Sequence, residues 1–175
     1  MNISKSKWNW MQQNILQLQS DDLMTAAGIG NEEIKDSSQK MRGDKIYWMD
    51  KSHDNIYEQE FLQQVENFIA YLNRSCYTGI NGYEFHYAVY EEGSFYKKHL
   101  DQFRNNNSRK YSMIMYLNAD WEAADGGELC ITQHDHLQMI SPQNGKAVFF
   151  KSNEMEHEVL ITNKPRMSIT GWLKC

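Results

Sequence analysis

His99-Leu100-Asp101 sets an imidazole and a carboxylate two positions apart. In an extended backbone residues i and i+2 point to the same side, so the pair can close on one ion. Further along, His157 opens a β-type run, and a histidine from a neighbouring strand would complete a facial triad of two histidines and one carboxylate. Such a triad leaves coordination positions open. That suits ferrous iron with a chelating co-substrate and dioxygen, whereas structural zinc prefers a closed tetrahedral shell. HxD also arises by chance, as a solvated or hydrogen-bonding pair beside a turn, so these residues alone leave that plainer reading standing.

Arg166 follows His157 by nine positions, across Thr162-Asn163-Lys164-Pro165, which reads as a turn between two antiparallel strands. That hairpin would return Arg166 to the neighbourhood of the histidine-bearing strand. Arg166 and Ser168 would then share one strand face and present a guanidinium fork and a hydroxyl together. An arginine in an otherwise apolar strand is costly to bury alone, which makes the far end of a small dicarboxylate a fitting occupant. A surface salt bridge of modest energy is the alternative. A second cluster, His134-Asp135-His136, sits between strand runs with no third ligand at a matching spacing and is expected in an exposed loop, while His53 and His86 have no partner by sequence.

The elements that must position these residues follow from periodicity. Trp8, Met11, Ile15, Leu16 and Leu18 recur at helical spacing and predict a helix over 8–23, broken by Gly28-Ile29-Gly30. A stronger amphipathic helix is predicted over 56–77, with Phe61, Val65, Phe68, Ile69 and Leu72 on one face. After the turn signal Asn81-Gly82 come short aromatic and β-branched runs at 83–90, 111–117, 128–132, 147–150, 157–161 and 168–173. Helices first and strands afterwards predict an α+β fold in which helices pack on one side of an antiparallel sandwich or barrel, and the regular short strands favour a jelly roll. One domain over 1–175 is expected, helical over about 5–77 and β over about 83–175.

The chain has 175 residues, 41% of them hydrophobic and 13% aromatic, enough for a real core. A net charge of −5 and a pI near 5.7 argue against a broad phosphate-binding face, so nucleic acid is not an expected partner. Cys76, Cys130 and Cys175 are odd in number and form no CxxC pair, which suggests neither a disulfide framework nor a thiolate zinc site and fits a reducing, cytoplasmic compartment. No apolar run approaches a membrane span, and no apolar signal region follows Met1-Asn2-Ile3-Ser4-Lys5. Soluble, unexported and not membrane-bound is the expectation; oligomeric state is left open.

The pieces Tyr96-Lys97-Lys98-His99-Leu100-Asp101, Met115-Tyr116-Leu117-Asn118-Ala119-Asp120-Trp121, Gly126-Gly127-Glu128-Leu129, Ala147-Val148-Phe149-Phe150, Glu156-His157-Glu158-Val159 and Arg166-Met167-Ser168-Ile169-Thr170-Gly171-Trp172 stand in that order. Over 90–172 the chain resembles the 2-oxoglutarate/Fe(II) dioxygenases of the prolyl hydroxylase family, especially the branch of the HIF prolyl hydroxylases and their bacterial relatives. Met41-Arg42-Gly43-Asp44-Lys45-Ile46-Tyr47-Trp48 looks like a further segment of that branch. The resemblance implies a double-stranded β-helix with helices against its major sheet. It also implies Fe(II), 2-oxoglutarate and O2, with ascorbate as an optional reductant, and hydroxylation of a prolyl residue in a protein with release of succinate and CO2. A translation factor is one family-based target.

Carried over residue by residue, the resemblance puts the iron ligands on His99, Asp101 and His157 and the arginine for the co-substrate's C5 carboxylate on Arg166, with the Tyr116 hydroxyl beside it. Tyr90 matches a tyrosine near the entrance, at a spacing from His99 one residue shorter than in the animal enzymes. Leu129 matches a side chain packed beside the co-substrate, and Ser168 stands next to Arg166 on its strand. Arg109 and Trp172 match positions of the peptide groove, and Arg42, Asp44 and Trp48 a turn and strand at its mouth, which is a better reading of Arg42-Gly43-Asp44 than an adhesion motif. Family members usually carry a strand before the first helix, whereas helical pattern starts here by Trp8, so either the chain is truncated or another segment covers that sheet edge. A hydroxylase of free amino acids with the same triad, and a silent module that only binds 2-oxoglutarate or metal, are the alternatives.

Overall fold

The structure, a computed structural model, describes residues 5–28, 41–102, 105–133 and 136–175. Helix α2 (Ile56–Cys76) begins where Asn55 accepts hydrogen bonds from the Tyr57 and Glu58 amides at 3.0 and 3.2 Å, and it ends at Tyr77 in the left-handed region. Its periodic face buries Phe61, Leu62, Val65 and Leu72. Helix α1 (Lys5–Ser20) buries Met11, Ile15 and Leu18 on the same core. It stops before the predicted boundary, and Leu23 lies beyond it in the open.

The strands are β1 (Thr25–Ala26), β2 (Asp44–Trp48), β3 (Gly82–Tyr90), β4 (Tyr96–His99), β5 (Arg109–Tyr116), β6 (Leu129–Gln133), β7 (His136–Ile140), β8 (Ala147–Lys151), β9 (Glu156–Val159) and β10 (Arg166–Lys174). They form two antiparallel sheets, one of six strands in the order β1-β2-β3-β10-β5-β8 and one of four in the order β4-β9-β6-β7. The two-residue β1 stands at the edge of the larger sheet beside β2.

Period-two alternation divides each central strand between two cores. Phe85, Tyr87 and Val89 of β3, Met113 and Met115 of β5, and Met167, Ile169 and Leu173 of β10 pack against the helices. Ala88, Tyr90, Ile114 and Tyr116 face the other way, onto Leu129, Ile131 and Val159 of the smaller sheet. The order is therefore helices, larger sheet, smaller sheet, with each fully buried aliphatic side chain contributing about 1.5–3 kcal/mol. Gly171 of β10 leaves room for the side chain of Phe85, its partner on β3: a Cβ there would meet Phe85 Cδ1 at 2.2 Å.

One expectation is corrected. The segment from His157 to Arg166 is not a hairpin within one sheet: β9 pairs with β4 and β6, whereas β10 pairs with β3 and β5. The Thr162–Pro165 turn carries the chain across from the smaller sheet to the larger. It is held there by the Gly93 amide donating to the Thr162 carbonyl at 2.8 Å and by the Thr162 hydroxyl donating to the Lys164 carbonyl at 2.7 Å. Turn residues reveal that a chain reverses, but not which sheet receives it. Of the 134–136 cluster, His134 and Asp135 lie outside the described residues, and His136 opens the exposed strand β7.

Candidate active site

His99 ends β4 and Asp101 lies in the bend after it, while His157 sits on β9 directly opposite His99 in register. Strand pairing thus brings together ligands 58 positions apart in sequence, by simple subtraction of 99 from 157. His99 Nε2 is 3.4 Å from Asp101 Oδ1 and His157 Nε2 is 3.5 Å from Asp101 Oδ2. One ligand atom from each residue lies within 4.8 Å of the others.

The backbone orients both rings. His99 Nδ1 lies 2.7 Å from the Lys97 carbonyl and His157 Nδ1 2.9 Å from the Met155 carbonyl. A carbonyl only accepts, so each Nδ1 carries the proton and each Nε2 lone pair is turned inward. Burial and the neighbouring His99 push the His157 pKa down, which keeps the ring neutral and able to ligate. Burial alone would raise the Asp101 carboxyl, but the His99 and His157 rings and the Ser112 hydroxyl reverse that and hold it well below the usual carboxylate range. Ser112 donates to Asp101 Oδ2 at 2.6 Å and lies 2.9 Å from the Ser152 hydroxyl. On the outer side Tyr96 stacks on His99 at 3.6 Å, and the Arg42 guanidinium covers Tyr96 at 4.4 Å. Two imidazoles with inward-turned Nε2 atoms and one carboxylate on a single point fit a first-row divalent ion with open positions.

Arg166 lies in the same cavity, 2% exposed. Its Nε donates to the Gly127 carbonyl at 2.8 Å, and its guanidinium carbon is 5.0 Å from the ring centres of Tyr90 and Tyr116. No acidic side chain among the described residues pairs with it. The nearby Tyr116 hydroxyl is buried beside Arg166, which can only donate to it, so its own O–H has no acceptor among the described residues; burial raises its pKa, so it stays a donor. Such groups are rarely left unsatisfied in native proteins, and a buried cation beside an orphaned donor calls for a carboxylate. Gly127 is required for this geometry, because its φ is +65° and a Cβ would stand 3.1 Å from Arg166 Cδ. Ser168 is buried one pleat from Arg166, with its Oγ 3.3 Å from Thr170 Oγ1, and Leu129 closes the cavity from the smaller sheet.

Of the remaining sequence-derived positions, Arg42, Asp44 and Trp172 line the cavity, while Arg109 and Trp48 pack against Trp172. Arg42 and Asp44 are clasped to each other by two hydrogen bonds at 2.7 and 2.5 Å. Arg109 lies over the Trp172 ring at 3.5 Å and donates to Glu84 at 2.7 Å. Burial would raise the Glu84 carboxyl, but Lys174 and Arg109 keep it below its ordinary value. Trp48, 44% exposed, meets His86 edge-on at 4.8 Å and Trp172 at 6.3 Å. Sequence reasoning missed Tyr96, Ser112, Ser152 and His86. The first stood inside a recognised motif, while the serines and His86 act across strands and have no local signal.

A larger open groove lies over α2 and β3, lined by Lys51, Glu66 and Tyr83, but these three are already bonded to one another, and the described residues place no metal-ligand set there.

Comparison with known proteins bears on this cavity. The sequence model of the 2OG-Fe(II) oxygenase superfamily matches residues 85–174. Human Egl nine homolog 1 is 31% identical over 148 residues, which cover 78% of this chain and 34% of that protein, and the rat protein is likewise 31% identical, with 43% of its length covered. The chain therefore spans between a third and a half of the length of these curated relatives. Among solved structures, a Pseudomonas putida prolyl-4-hydroxylase superimposes with a TM-score of 0.88 at 27% identity, over 98% of this chain and 88% of that one. A Trichoplax adhaerens prolyl hydroxylase in complex with a hypoxia inducible factor oxygen degradation domain peptide shares the fold, with a TM-score of 0.86 at 24% identity over 98% of this chain and 80% of that one.

Proposed function

The chain belongs to the 2OG-Fe(II) oxygenase superfamily, and from that premise we propose that it is an Fe(II)- and 2-oxoglutarate-dependent dioxygenase that hydroxylates a prolyl residue of a polypeptide. The observation that carries the reading is the buried Arg166 guanidinium without an acidic partner, in one cavity with an open triad of two histidines and an aspartate. The two facing sheets are read as a double-stranded β-helix, the scaffold such a site requires.

In this reading His99, Asp101 and His157 hold the iron, and Arg166 with the Tyr116 hydroxyl holds the C5 carboxylate of 2-oxoglutarate by charge-assisted hydrogen bonds. Tyr90 and Leu129 wall the co-substrate, and Ser168 lines the face beside Arg166. Iron, 2-oxoglutarate and O2, when bound, supply the oxidation of one C–H bond, with succinate and CO2 released. The protein's own task is to aim that bond and exclude water, and Trp48 and Trp172, backed by the Arg109–Glu84 and Arg42–Asp44 pairs, form the substrate side. Ascorbate is assigned the part of a reductant that keeps the iron ferrous. The polypeptide is sought first among translation factors, and the cytoplasm is the proposed compartment.

The test is incubation with Fe(II), 2-oxoglutarate, ascorbate and O2 against prolyl peptides and free amino acids, read by mass spectrometry. A one-oxygen mass gain on a prolyl peptide, with equimolar succinate, is the expected result. Turnover of free amino acids with every prolyl peptide untouched would sink the prolyl assignment.

A further inference from the structure

Among the described residues, two more buried nitrogens lack a hydrogen-bond partner, His86 Nδ1 and Trp172 Nε1. Both side chains line the cavity that contains the triad. They project from neighbouring strands on one face, since His86 of β3 is paired with Thr170 of β10, two residues before Trp172, and their ring centres are 5.4 Å apart. An indole N–H can only donate, and a neutral imidazole carries one N–H that Nδ1 can hold. Burial, with a smaller effect from Arg42, pushes the His86 pKa down to about 4, so the ring is uncharged at neutral pH.

The charges around the pair are already matched. Arg42 is held by Asp44, and Arg109 by Glu84, which also binds Lys174. This wall therefore offers an unspent indole donor, an imidazole nitrogen that donates in its Nδ1–H tautomer, and no spare cation among the described residues. A free amino acid would bring a carboxylate here without a counter-charge, whereas a peptide carbonyl needs none and has two lone pairs.

We propose that His86 Nδ1–H and Trp172 Nε1–H converge on one main-chain carbonyl of the substrate beside the target residue, so that His86 is a specificity-determining residue selecting polypeptide over free amino acid. The inference rests on the prolyl hydroxylase reading above.

The experiment compares wild type, His86→Leu, His86→Asn and Trp172→Phe with a fluorescent prolyl peptide, by anisotropy on the Mn(II)- and 2-oxoglutarate-loaded protein and by KM and kcat with Fe(II). Losing one such hydrogen bond is expected to weaken peptide binding roughly tenfold. His86→Leu and Trp172→Phe should each raise Kd and KM by that factor with a smaller change in kcat, and should narrow the preference for the peptide over free L-proline. His86→Asn, which keeps a side-chain N–H near Nδ1, should recover most of the affinity. Wild type that hydroxylates the peptide, with His86→Leu and Trp172→Phe binding it as tightly, overturns this inference alone. Wild type that neither binds nor hydroxylates any prolyl peptide overturns the underlying reading and the inference with it.

Discussion

Replacing Arg166 with methionine keeps the unbranched stem out to the position of Nε and removes the charged end of the guanidinium. In the protein without co-substrate the change gives up one hydrogen bond, Nε to the Gly127 carbonyl at 2.8 Å, a loss of about 1 kcal/mol. It also removes a guanidinium that is 2% exposed and lacks an acidic partner among the described residues, a burial that itself costs free energy. The two effects oppose, so the Tm of Arg166→Met should stay within a few degrees of wild type. Binding of 2-oxoglutarate should respond very differently. Two charge-assisted hydrogen bonds at about 1.5–3 kcal/mol each are lost, which weakens binding a hundredfold or more. The assay is thermal unfolding with Mn(II) in place of iron. At 2-oxoglutarate near 100 times its Kd, wild type gains about 2.7 kcal/mol, or roughly 5–10 °C for a chain of this size. Arg166→Met should show no such gain while keeping its shift on adding Mn(II). A wild-type 2-oxoglutarate shift in the variant would refute the assignment of Arg166.

Ser112→Ala removes the 2.6 Å hydrogen bond that fixes Asp101, and metal affinity by titration calorimetry should fall about 10–100-fold; an unchanged affinity would remove Ser112 from the account. Gly171→Ala drives a Cβ to 2.2 Å from Phe85 Cδ1, and urea unfolding should show a loss of about 1–3 kcal/mol or more, with wild-type stability counting against the close packing of β10 on β3. The His86 pKa falls from 6.5 to about 4 on folding, so below pH 6.5 the unfolded chain takes the proton first and the metal-free protein loses about 3 kcal/mol by pH 4. His86→Leu should remove that loss, so that its stability gains on wild type as the pH drops, and parallel stability profiles would contradict the neutral buried ring.

The site was more legible than the scaffold, for reasons visible in particular residues. Helix α2 announced itself because Phe61, Val65 and Leu72 repeat on one face, whereas its Asn55 cap and its left-handed end at Tyr77 appear only in the structure. The six predicted strand runs became β3, β5, β6, β8, β9 and β10 with ends moved by a few residues, since their inner faces alternate. Strand β7 escaped notice because it lies at a sheet edge with Leu137 and Met139 exposed, which blurs the pattern. The crossing of the chain between sheets at 160–165 left no local trace, since the same turn residues serve a hairpin or a crossover. His99, Asp101, His157 and Arg166 were found through motif order, whereas His86 was passed over as a histidine without a partner. Its isolation in sequence persists in space at Nδ1, and that isolation is what makes it informative.

The central claim is that the His99–Asp101–His157 triad and Arg166 together run a co-substrate-coupled oxygenation. Turnover of a prolyl peptide with Fe(II) and 2-oxoglutarate under isotopically heavy O2, followed by mass spectrometry of peptide and succinate, tests it most directly. The account predicts one heavy oxygen in the hydroxylated peptide and one in an equimolar amount of succinate, both lost in Asp101→Ala. Hydroxylation that takes its oxygen only from water, or that proceeds undiminished in Asp101→Ala, would contradict it.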